Sequence, residues 1–380
     1  MKIGIVTWFH YKNYGTILQA YALQNFLKIK GYNCVLINYI PIYNKNFLEK
    51  VKSGKFKKRI GSKIETYCFK FLGSDIKEKL RKRNIAFETF IKKNIELTLK
   101  IQSNDDLLKL NDMFDYFICG SDQIWNPENL NGVYYLSFVN EENKKISYAP
   151  SFGVRHIPAS KKEKIQHWVN KFDKLSVREE DGASILKTLT QKDIEVVVDP
   201  TLLLSKTNWE QILVNPNIHK DYILCYFLGD RKEYWEVVQK LQKITGYRVV
   251  IIPIKFNSYL QKYDIRTSTG PEEFIGLIKN AKLILTDSFH GTIFSLKFEK
   301  DFYVFKRFKD KNKGSQNSRI YNILKMLNLE DRLIDNNFFI SYKNDIYIDN
   351  YEQINKVLNE KIEDSTSYLM KTLNEFDKDK

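Results

Sequence analysis

The chain has few cysteines and no long apolar segment, and both absences narrow its class. No stretch approaches the roughly 18 consecutive apolar residues of a membrane-spanning helix. The first apolar stretch, 3–9, is too short for a secretory signal. The four cysteines are too widely spaced for a CxxC pair or a zinc site: Cys34, Cys68, Cys119 and Cys225. We therefore predict a cytoplasmic protein with reduced thiols, no metal site and no cofactor.

Size and charge limit the number of domains and the class of ligand. With 380 residues, of which 43% are apolar, the chain exceeds what one hydrophobic core organises, so two domains are predicted. A net charge of +15 suits nucleic acid, an anionic membrane or an anionic substrate. Lysine and arginine crowd into 50–83 among aromatic residues, which indicates either a solvated helical face or a peripheral contact with anionic membrane. Because no recognition motif accompanies the charge, nucleic-acid binding is not expected.

Strand-like and helix-like segments alternate from the first residue, which is typical of an α/β fold. Residues 2–8, a helical pattern that stops at Gly31, and residues 34–40 form the first βαβ unit. Apolar runs without strict alternation predict strands buried on both faces, as in a parallel sheet covered by helices. Further strands are predicted at 115–119, 145–149, 174–178, 194–198, 222–228, 247–252, 282–286 and 302–305.

The pattern restarts after Pro200, so the chain is predicted to contain two Rossmann-like domains. The polar segment 205–220 marks the junction. We predict an N-terminal domain over 1–204, a C-terminal domain over 205–345 and a helical tail over 346–380 that packs back on the first domain.

In open α/β sheets ligands bind beyond the carboxyl ends of the strands, so the residues that follow each strand are candidate site residues. Asn13 and Gly15 lead from the first strand into a helix, where backbone N–H groups hold an anion; an ordinary N-cap is the alternative. Asp122, Gln123 and Trp125 follow the third strand. They offer a sugar a carboxylate, an amide and an aromatic face, against the alternative of a capping Asp and a half-buried Trp.

Two further charged residues end later strands. An arginine such as Arg178 suits a carboxylate or phosphate. Its neighbour Glu179 is an ion-pair candidate, but adjacent strand residues point to opposite faces, so a simple pair is not predicted. Asp199 either belongs to the site or starts a turn before Pro200.

The segment 286–292 carries the strongest site signal, because it ends an apolar strand and opens a helix. Ser288, Gly291 and Thr292 bring hydroxyls and free backbone to a helix N-terminus, where anions bind, and His290 adds a group that titrates near neutrality. A structural histidine is the alternative. Two residues downstream add donors for a phosphate, with a plain basic loop as the alternative: Asn317 and Arg319.

These motifs together resemble the polysaccharide pyruvyl transferase family. The match runs in order through NYGTILQAYAL, GSDQIWNP, KISYAPSFG, SVRE, VVDPTLLL and TDSFHGTIFSLKF, over most of residues 1–305. The resemblance implies two Rossmann-like domains facing a cleft in a GT-B-like arrangement. It also implies transfer of a pyruvyl group from phosphoenolpyruvate to a sugar of a cell-surface polysaccharide, or to its lipid-linked precursor, as a ketal.

By the same resemblance, His290, Asp122 and Asp199 correspond to catalytic positions. The donor side would be formed by Arg178, Ser288, Gly291, Thr292, Asn317 and Arg319 in the second domain and its cleft. The acceptor side would be formed by Asn13, Gly15, Gln123 and Trp125 of the first. Well-characterised members carry an arginine where this chain has Ser288. Because of that departure, a GT-B-type glycosyltransferase using a nucleotide sugar and a non-catalytic glycan-binding relative remain alternatives.

Overall fold

The computed structural model describes residues 1–41, 73–308, 317–334 and 346–378. Most of the basic segment 50–83 therefore lies outside the described residues. Its described end belongs to a helix over 74–94, on which Lys79 pairs with Asp75 and Arg81 with Glu78. Membrane contact through this segment stays a prediction. Among the described helices, none combines the length and apolarity needed to cross a bilayer.

The first half of the chain forms a parallel sheet whose order is β2-β1-β3-β4. A parallel bridge between Ile146 and Lys174 leads from β4 to the pair β5-β6. Every residue of β3 and of β4 is buried, which explains the apolar runs without alternation. The strands are β1 (Lys2–Val6), β2 (Asn33–Leu36), β3 (Tyr116–Gly120), β4 (Lys145–Tyr148), β5 (Leu175–Val177) and β6 (Ile194–Val196).

The second half forms a six-stranded parallel sheet in the order β12-β11-β10-β7-β8-β9. With β7 as the first strand, this is the 3-2-1-4-5-6 order of a Rossmann sheet, whose ligand crevice opens between the first and fourth strands. That crevice lies beyond β7 and β10. The strands are β7 (Tyr222–Tyr226), β8 (Arg248–Ile252), β9 (Asp264–Ile265), β10 (Leu283–Thr286), β11 (Asp301–Phe305) and β12 (Leu333–Ile334).

Helices connect the parallel strands, as right-handed crossovers require. In the first half they are α1 (Tyr14–Ile29), α2 (Ser74–Asn94), α3 (Asn104–Lys109), α4 (Ala159–Val169), α5 (Glu180–Lys187), α6 (Pro200–Leu203) and α7 (Lys206–Glu210). In the second half they are α8 (Lys232–Thr245), α9 (Pro271–Asn280), α10 (Phe289–Lys297), α11 (Ser318–Met326) and α12 (Tyr351–Lys378).

Helix α1 packs directly against the second half of the chain. Tyr14, in its first turn, is fully buried, stacks on Phe274 with the ring centroids 4.4 Å apart, and donates a hydrogen bond to the carbonyl of Thr269. Arg83 of α2 lies over the same Tyr14 ring. These contacts bring the N-terminus of α1, which follows β1, up to the ligand side of the second sheet.

The long helix α12 contacts both halves. Near its start, the Tyr351 hydroxyl donates to the carbonyl of Lys300, beside β11. Further along, Ser365 accepts a hydrogen bond from the backbone N–H of Val198, and the Tyr368 hydroxyl donates to the carbonyl of Ser147. The helix therefore crosses from the second sheet to the carboxyl side of β6.

The predicted α/β class is confirmed by the two parallel sheets. The ten strands predicted from apolar runs are present, although β2 ends at Leu36 rather than residue 40. Two strands were not predicted, β9 and β12, because two residues are too short to show a period. The proposed division at 204/205 falls between β6 and β7, and hence between the two sheets.

Candidate functional site

The site lies where carboxyl ends of the first sheet meet the helix that follows β10. The loop after β3 supplies Asp122, the turn after β5 supplies Arg178, and the segment after β6 supplies Asp199. Across the cleft, α10 begins with Phe289 and His290. These are among the residues that the sequence predicts as site residues because they follow strands, and ligand sites of parallel sheets are built in this way.

Asp199 is the electrostatic centre of the site. Its wholly buried carboxylate accepts hydrogen bonds through Oδ1 from the backbone N–H and the hydroxyl of Thr201. Its Oδ2 accepts from Nη1 of Arg178 at 2.6 Å and lies 3.4 Å from Nε2 of His290. Burial disfavours the charge, but His290, Arg178 and Thr201 outweigh it and hold the pKa of Asp199 far below its usual value. The carboxylate is therefore ionised and fixed in place.

His290 is held between the two halves of the chain. Its ring is 6% exposed and lies against the backbone of Gly15, so closely that a Cβ on Gly15 would overlap the imidazole. Nε2 faces Asp199 without the alignment of a hydrogen bond. The glycine in the first turn of α1 is thus explained by the approach of a histidine from the other domain rather than by an anion.

Two buried guanidinium groups flank Phe289. The guanidinium carbon of Arg178 lies 4.6 Å from the ring centroid, and that of Arg319, on α11, lies 5.5 Å away. Burial, together with the neighbouring Arg178, lowers the pKa of Arg319 to about 9. Asp199 and Glu179 lie beside Arg178, and two guanidinium groups at one cavity are suited to binding the carboxylate or phosphate of a ligand.

A cavity of about 460 Å³ opens beside the two arginines, between β6 and α5 on one side and α10, α11 and α12 on the other. Its charged end is formed by Arg178, Glu179, Asp199 and Arg319. This volume is in the range of small-molecule sites. The rest of the wall combines apolar side chains with further charged ones: Val196, Val197, Leu202, Ile293, Ile323 and Met326, and Glu180, Lys187, Glu195 and Lys361.

Asp122 lies next to this cavity but does not line it. Its backbone is in the left-handed region at φ 62°, which re-aims the chain after β3. Its Oδ2 accepts a hydrogen bond from the Thr16 hydroxyl at 2.6 Å, and its Oδ1 accepts from the N–H of Gln123. Both oxygens therefore already bond to protein groups. The Gln123 side chain packs so closely on Gly153 that no Cβ fits there.

The prediction that Trp125 stacks on an acceptor sugar is wrong. Its indole has no exposed surface, stacks on Tyr135 at 5.0 Å between centroids and donates its N–H to the carbonyl of Tyr134. Phe152 and Phe172 pack against the same ring. A ring enclosed by aromatic neighbours belongs to the core of the first domain.

The turn before α10 uses its polar groups internally. The Ser288 hydroxyl caps the helix by accepting from the N–H of Gly291, and the Thr292 hydroxyl donates to the carbonyl of Ser288. Thr292 has no exposed surface, so the prediction that it contacts the donor is wrong. Gly291 packs on Thr286, whose Oγ1 would lie 2.5 Å from an added Cβ. Close packing rather than ligand binding explains that glycine.

Asn317 and Asn13 also have structural partners. The Asn317 amide accepts from the N–H of Phe308 and donates to its carbonyl. Asn13 caps α1 by accepting from the N–H of Thr16. These bonds fix the entry to α11 and the start of α1. We therefore do not carry Asn317 or Asn13 into the proposed ligand contacts.

Two residues at the cavity were not among the predicted site residues. Phe289 provides the surface on which both arginines stack, and Glu179 lies 4% exposed at the charged end of the cavity. The prediction that Arg178 and Glu179 do not pair is wrong, because β5 ends at Val177 and both residues already lie in the turn. Arg178 Nε and Glu179 Oε2 are 3.6 Å apart. Within the described residues, no group of three or more His, Cys, Asp and Glu side chains is arranged to hold a metal ion.

Comparison with solved structures defines the class of the fold. A Listeria monocytogenes protein assigned as a UDP-N-acetylglucosamine 2-epimerase is 10% identical and covers 99% of this chain and 97% of its own, with a TM-score of 0.52. A UDP-GlcNAc 2-epimerase from Neisseria meningitidis, bound to UDP-GlcNAc, is 14% identical over 99% of this chain and 100% of its own, with a TM-score of 0.49. Together with the parallel sheets, the likeness to the Listeria monocytogenes protein shows two Rossmann-like domains in a GT-B-like arrangement. At these identities the likeness shows the fold alone.

The family follows from the sequence itself. The family model for polysaccharide pyruvyl transferase matches residues 13–307, from the start of α1 to just beyond β11. The chain belongs to the polysaccharide pyruvyl transferase family. Membership and fold together support a transferase. No curated protein matches the chain.

Proposed function

We propose that this protein transfers a pyruvyl group from phosphoenolpyruvate to a sugar, forming a ketal. The observation that carries the proposal is that two buried arginines and Asp199 line one cavity, with His290 3.4 Å from the Asp199 carboxylate. Phosphoenolpyruvate has a phosphate and a carboxylate, which match two guanidinium groups. The acceptor would be a sugar of a cell-surface polysaccharide or its lipid-linked precursor, in keeping with the family.

The chemistry assigns each of these groups a step. His290, beside the Asp199 carboxylate, gives a proton to the methylene carbon of phosphoenolpyruvate. The adjacent carbon becomes electron-poor, and a sugar hydroxyl attacks it. The bond from that carbon to the phosphate oxygen then breaks, and a second hydroxyl closes the ketal. The acceptor releases two hydroxyl protons. One replaces the proton that His290 gave to the methyl group, and the other leaves with phosphate.

The two arginines stabilise charge at different stages. Arg319 and Arg178 hold the phosphate and carboxylate of the donor, and the departing phosphate gains negative charge next to them. Ser288 stands where the family carries an arginine, and we propose that Arg319 of α11 supplies the second cation. A site that stabilises an anion electrostatically needs no metal ion to perform this transfer.

Donor binding is the direct test. Phosphoenolpyruvate at about 100 times its Kd stabilises a native state by about 2.7 kcal/mol, so the melting temperature should rise. Arg319→Gln should abolish the rise. Arg248→Gln is the matched control. Arg248 is half-exposed, pairs with Asp264 and begins β8, so it lies at the amino end of the strand rather than at the carboxyl end that faces the ligand crevice.

The nucleotide-sugar alternative predicts the reverse result. UDP-N-acetylglucosamine should then raise the melting temperature, while phosphoenolpyruvate should leave it unchanged in the wild type. That outcome would contradict the donor proposal and favour a GT-B-type enzyme of nucleotide sugars. A protein that binds neither ligand would favour the non-catalytic relative.

A further inference from the structure

Three buried carboxylates lie at the site, and they differ in how many hydrogen bonds they already accept. Asp199 accepts bonds from Thr201 and Arg178. Asp122 accepts one bond at each oxygen. Glu179 accepts a bond at Oε1 from the Ser151 hydroxyl at 2.5 Å, while its buried Oε2 has no hydrogen-bond partner. Among these three, Glu179 is therefore the carboxylate with an oxygen that accepts no hydrogen bond, and its nearest charged group is Nε of Arg178 at 3.6 Å.

Ser151 fixes the position of the Glu179 carboxylate. The backbone N–H of Ser151 donates to the carbonyl of Asp122, and its hydroxyl donates to Oε1 of Glu179. Glu179 lines the cavity together with Arg178 and Arg319. Burying a carboxylate oxygen without a hydrogen bond is unfavourable, so its retention calls for an explanation.

We propose that Glu179 is a catalytic residue that accepts the proton of the attacking acceptor hydroxyl. The inference rests on the proposed function and gives the proton-accepting role to Glu179 rather than to Asp122, which the sequence predicts as a catalytic residue. As the hydroxyl oxygen bonds to the electron-poor carbon of the donor, its O–H bond breaks and the proton passes to Oε2. The proton leaves with phosphate, so Glu179 is ionised again for the next turnover.

A counter-charge role for Arg178 is the competing explanation. Arg178 already donates to Asp199 at 2.6 Å, whereas its Nε lies 3.6 Å from Glu179 without a hydrogen bond. A residue that only neutralises Arg178 would influence donor binding. A residue that accepts the hydroxyl proton would influence the rate with bound donor. The two roles therefore separate in measurement.

Glu179→Gln tests the proposal because it keeps an oxygen for Ser151 but cannot accept a proton. Phosphate release is followed with phosphoenolpyruvate as donor and three acceptors: water, glycerol, and aryl hexopyranosides with free 4- and 6-hydroxyls. Donor affinity is measured separately by calorimetry. Glu163→Gln is the matched control, since Glu163 is exposed on α4. Asp122→Asn tests the competing carboxylate.

We expect Glu179→Gln to lower kcat by about 10²–10⁴-fold and to leave the donor Kd unchanged or tighter, because a negative charge beside Arg178 is removed. Formate, a small carboxylate, should restore part of the activity of Glu179→Ala. Activity of Glu179→Gln within about tenfold of wild type overturns the proposal, as does a loss seen in Asp122→Asn instead.

Failure of the proposed function would look different. A wild type that does not bind phosphoenolpyruvate contradicts the donor assignment, and the role of Glu179 falls with it. A wild type that binds the donor but releases no phosphate with any of the three acceptors contradicts the proposed transfer, and the role of Glu179 falls with it. If the donor Kd of Glu179→Gln is weakened more than tenfold while kcat is kept, Glu179 acts as the counter-charge of Arg178 and not as the proton acceptor.

Discussion

Two turns of similar sequence, NYGT at 13–16 and SFHGT at 288–292, begin helices on opposite sides of the cleft. Both are capped by their own first side chain, Asn13 and Ser288, which accept from a backbone N–H within the next turn. Both carry a glycine for reasons of packing. From the sequence alone, each is suited to bind an anion at a helix N-terminus.

The turns differ in what they present to the cleft. The first offers the bare backbone of Gly15, and the second places the ring of His290 on it. The cations come from neither turn but from Arg178 after β5 and Arg319 on α11. The comparison shows that the glycine and hydroxyl pattern of a capped helix start does not by itself indicate a phosphate site. The charged side chains that surround such a turn are more informative.

The histidine is where the two turns differ most, and replacing it should have the largest effect. His290→Ala removes the proposed acid, which acts mainly in the transition state, so kcat should fall by about 10²–10⁴-fold. Donor affinity should be largely retained, because cations hold the ground state. Phosphate release and donor calorimetry measure the two quantities. A variant with full activity would make His290 structural.

Replacing Asp199, which lies 3.4 Å from His290, should have the next largest effect, in this case on the free energy of unfolding. Asp199→Asn leaves Arg178 buried without its closest counter-charge, so the free energy of unfolding should fall by about 3–5 kcal/mol at neutral pH. Because the folded pKa of Asp199 is depressed, its contribution is present above the unfolded pKa of about 3.9 and is lost as pH falls through the folded pKa. The difference from wild type should therefore shrink below about pH 4.

Urea unfolding between pH 3 and pH 7 measures this difference. Asp173→Asn is the control, since Asp173 is exposed. A difference that stays constant over this range would mean that Asp199 is not held ionised by its buried neighbours.

The convergence of Arg178, Asp199 and His290 could be predicted from the sequence because each follows a strand of a parallel sheet. The topology of a parallel sheet brings the residues that follow its strands together, whatever the chain does between the strands. The burial of Trp125 could not be predicted, since an aromatic residue after a strand suits a ligand and a core equally. The pairing of Arg178 with Glu179 was also missed, because the end of β5 at Val177 is not marked in the sequence.

Replacing Gly15, whose backbone the His290 ring contacts, should have a smaller effect on the rate. In Gly15→Ala the new Cβ overlaps the imidazole of His290, so the ring must move. A misplacement of about 1 Å at a reacting group costs on the order of 10²-fold, and kcat should fall by about that factor. Gly73→Ala is the matched control, because no atom lies within 4 Å of its added Cβ. Equal rates for both variants would show that the position of His290 is not set by Gly15.

The caps of the two turns give the smallest effect, and they decide whether Ser288 is structural. If the Ser288 hydroxyl and the Asn13 amide serve only as helix caps, Ser288→Ala and Asn13→Ala should each lower the free energy of unfolding by about 1 kcal/mol. The loss is measured as a lower urea midpoint. Ser288→Thr, which keeps a capping hydroxyl, should restore most of that loss. The donor Kd should stay the same in all three variants, because the Ser288 hydroxyl is 3% exposed and bonded to Gly291. A donor Kd weakened tenfold in Ser288→Ala alone would instead return Ser288 to the donor site and make the second turn an anion site after all.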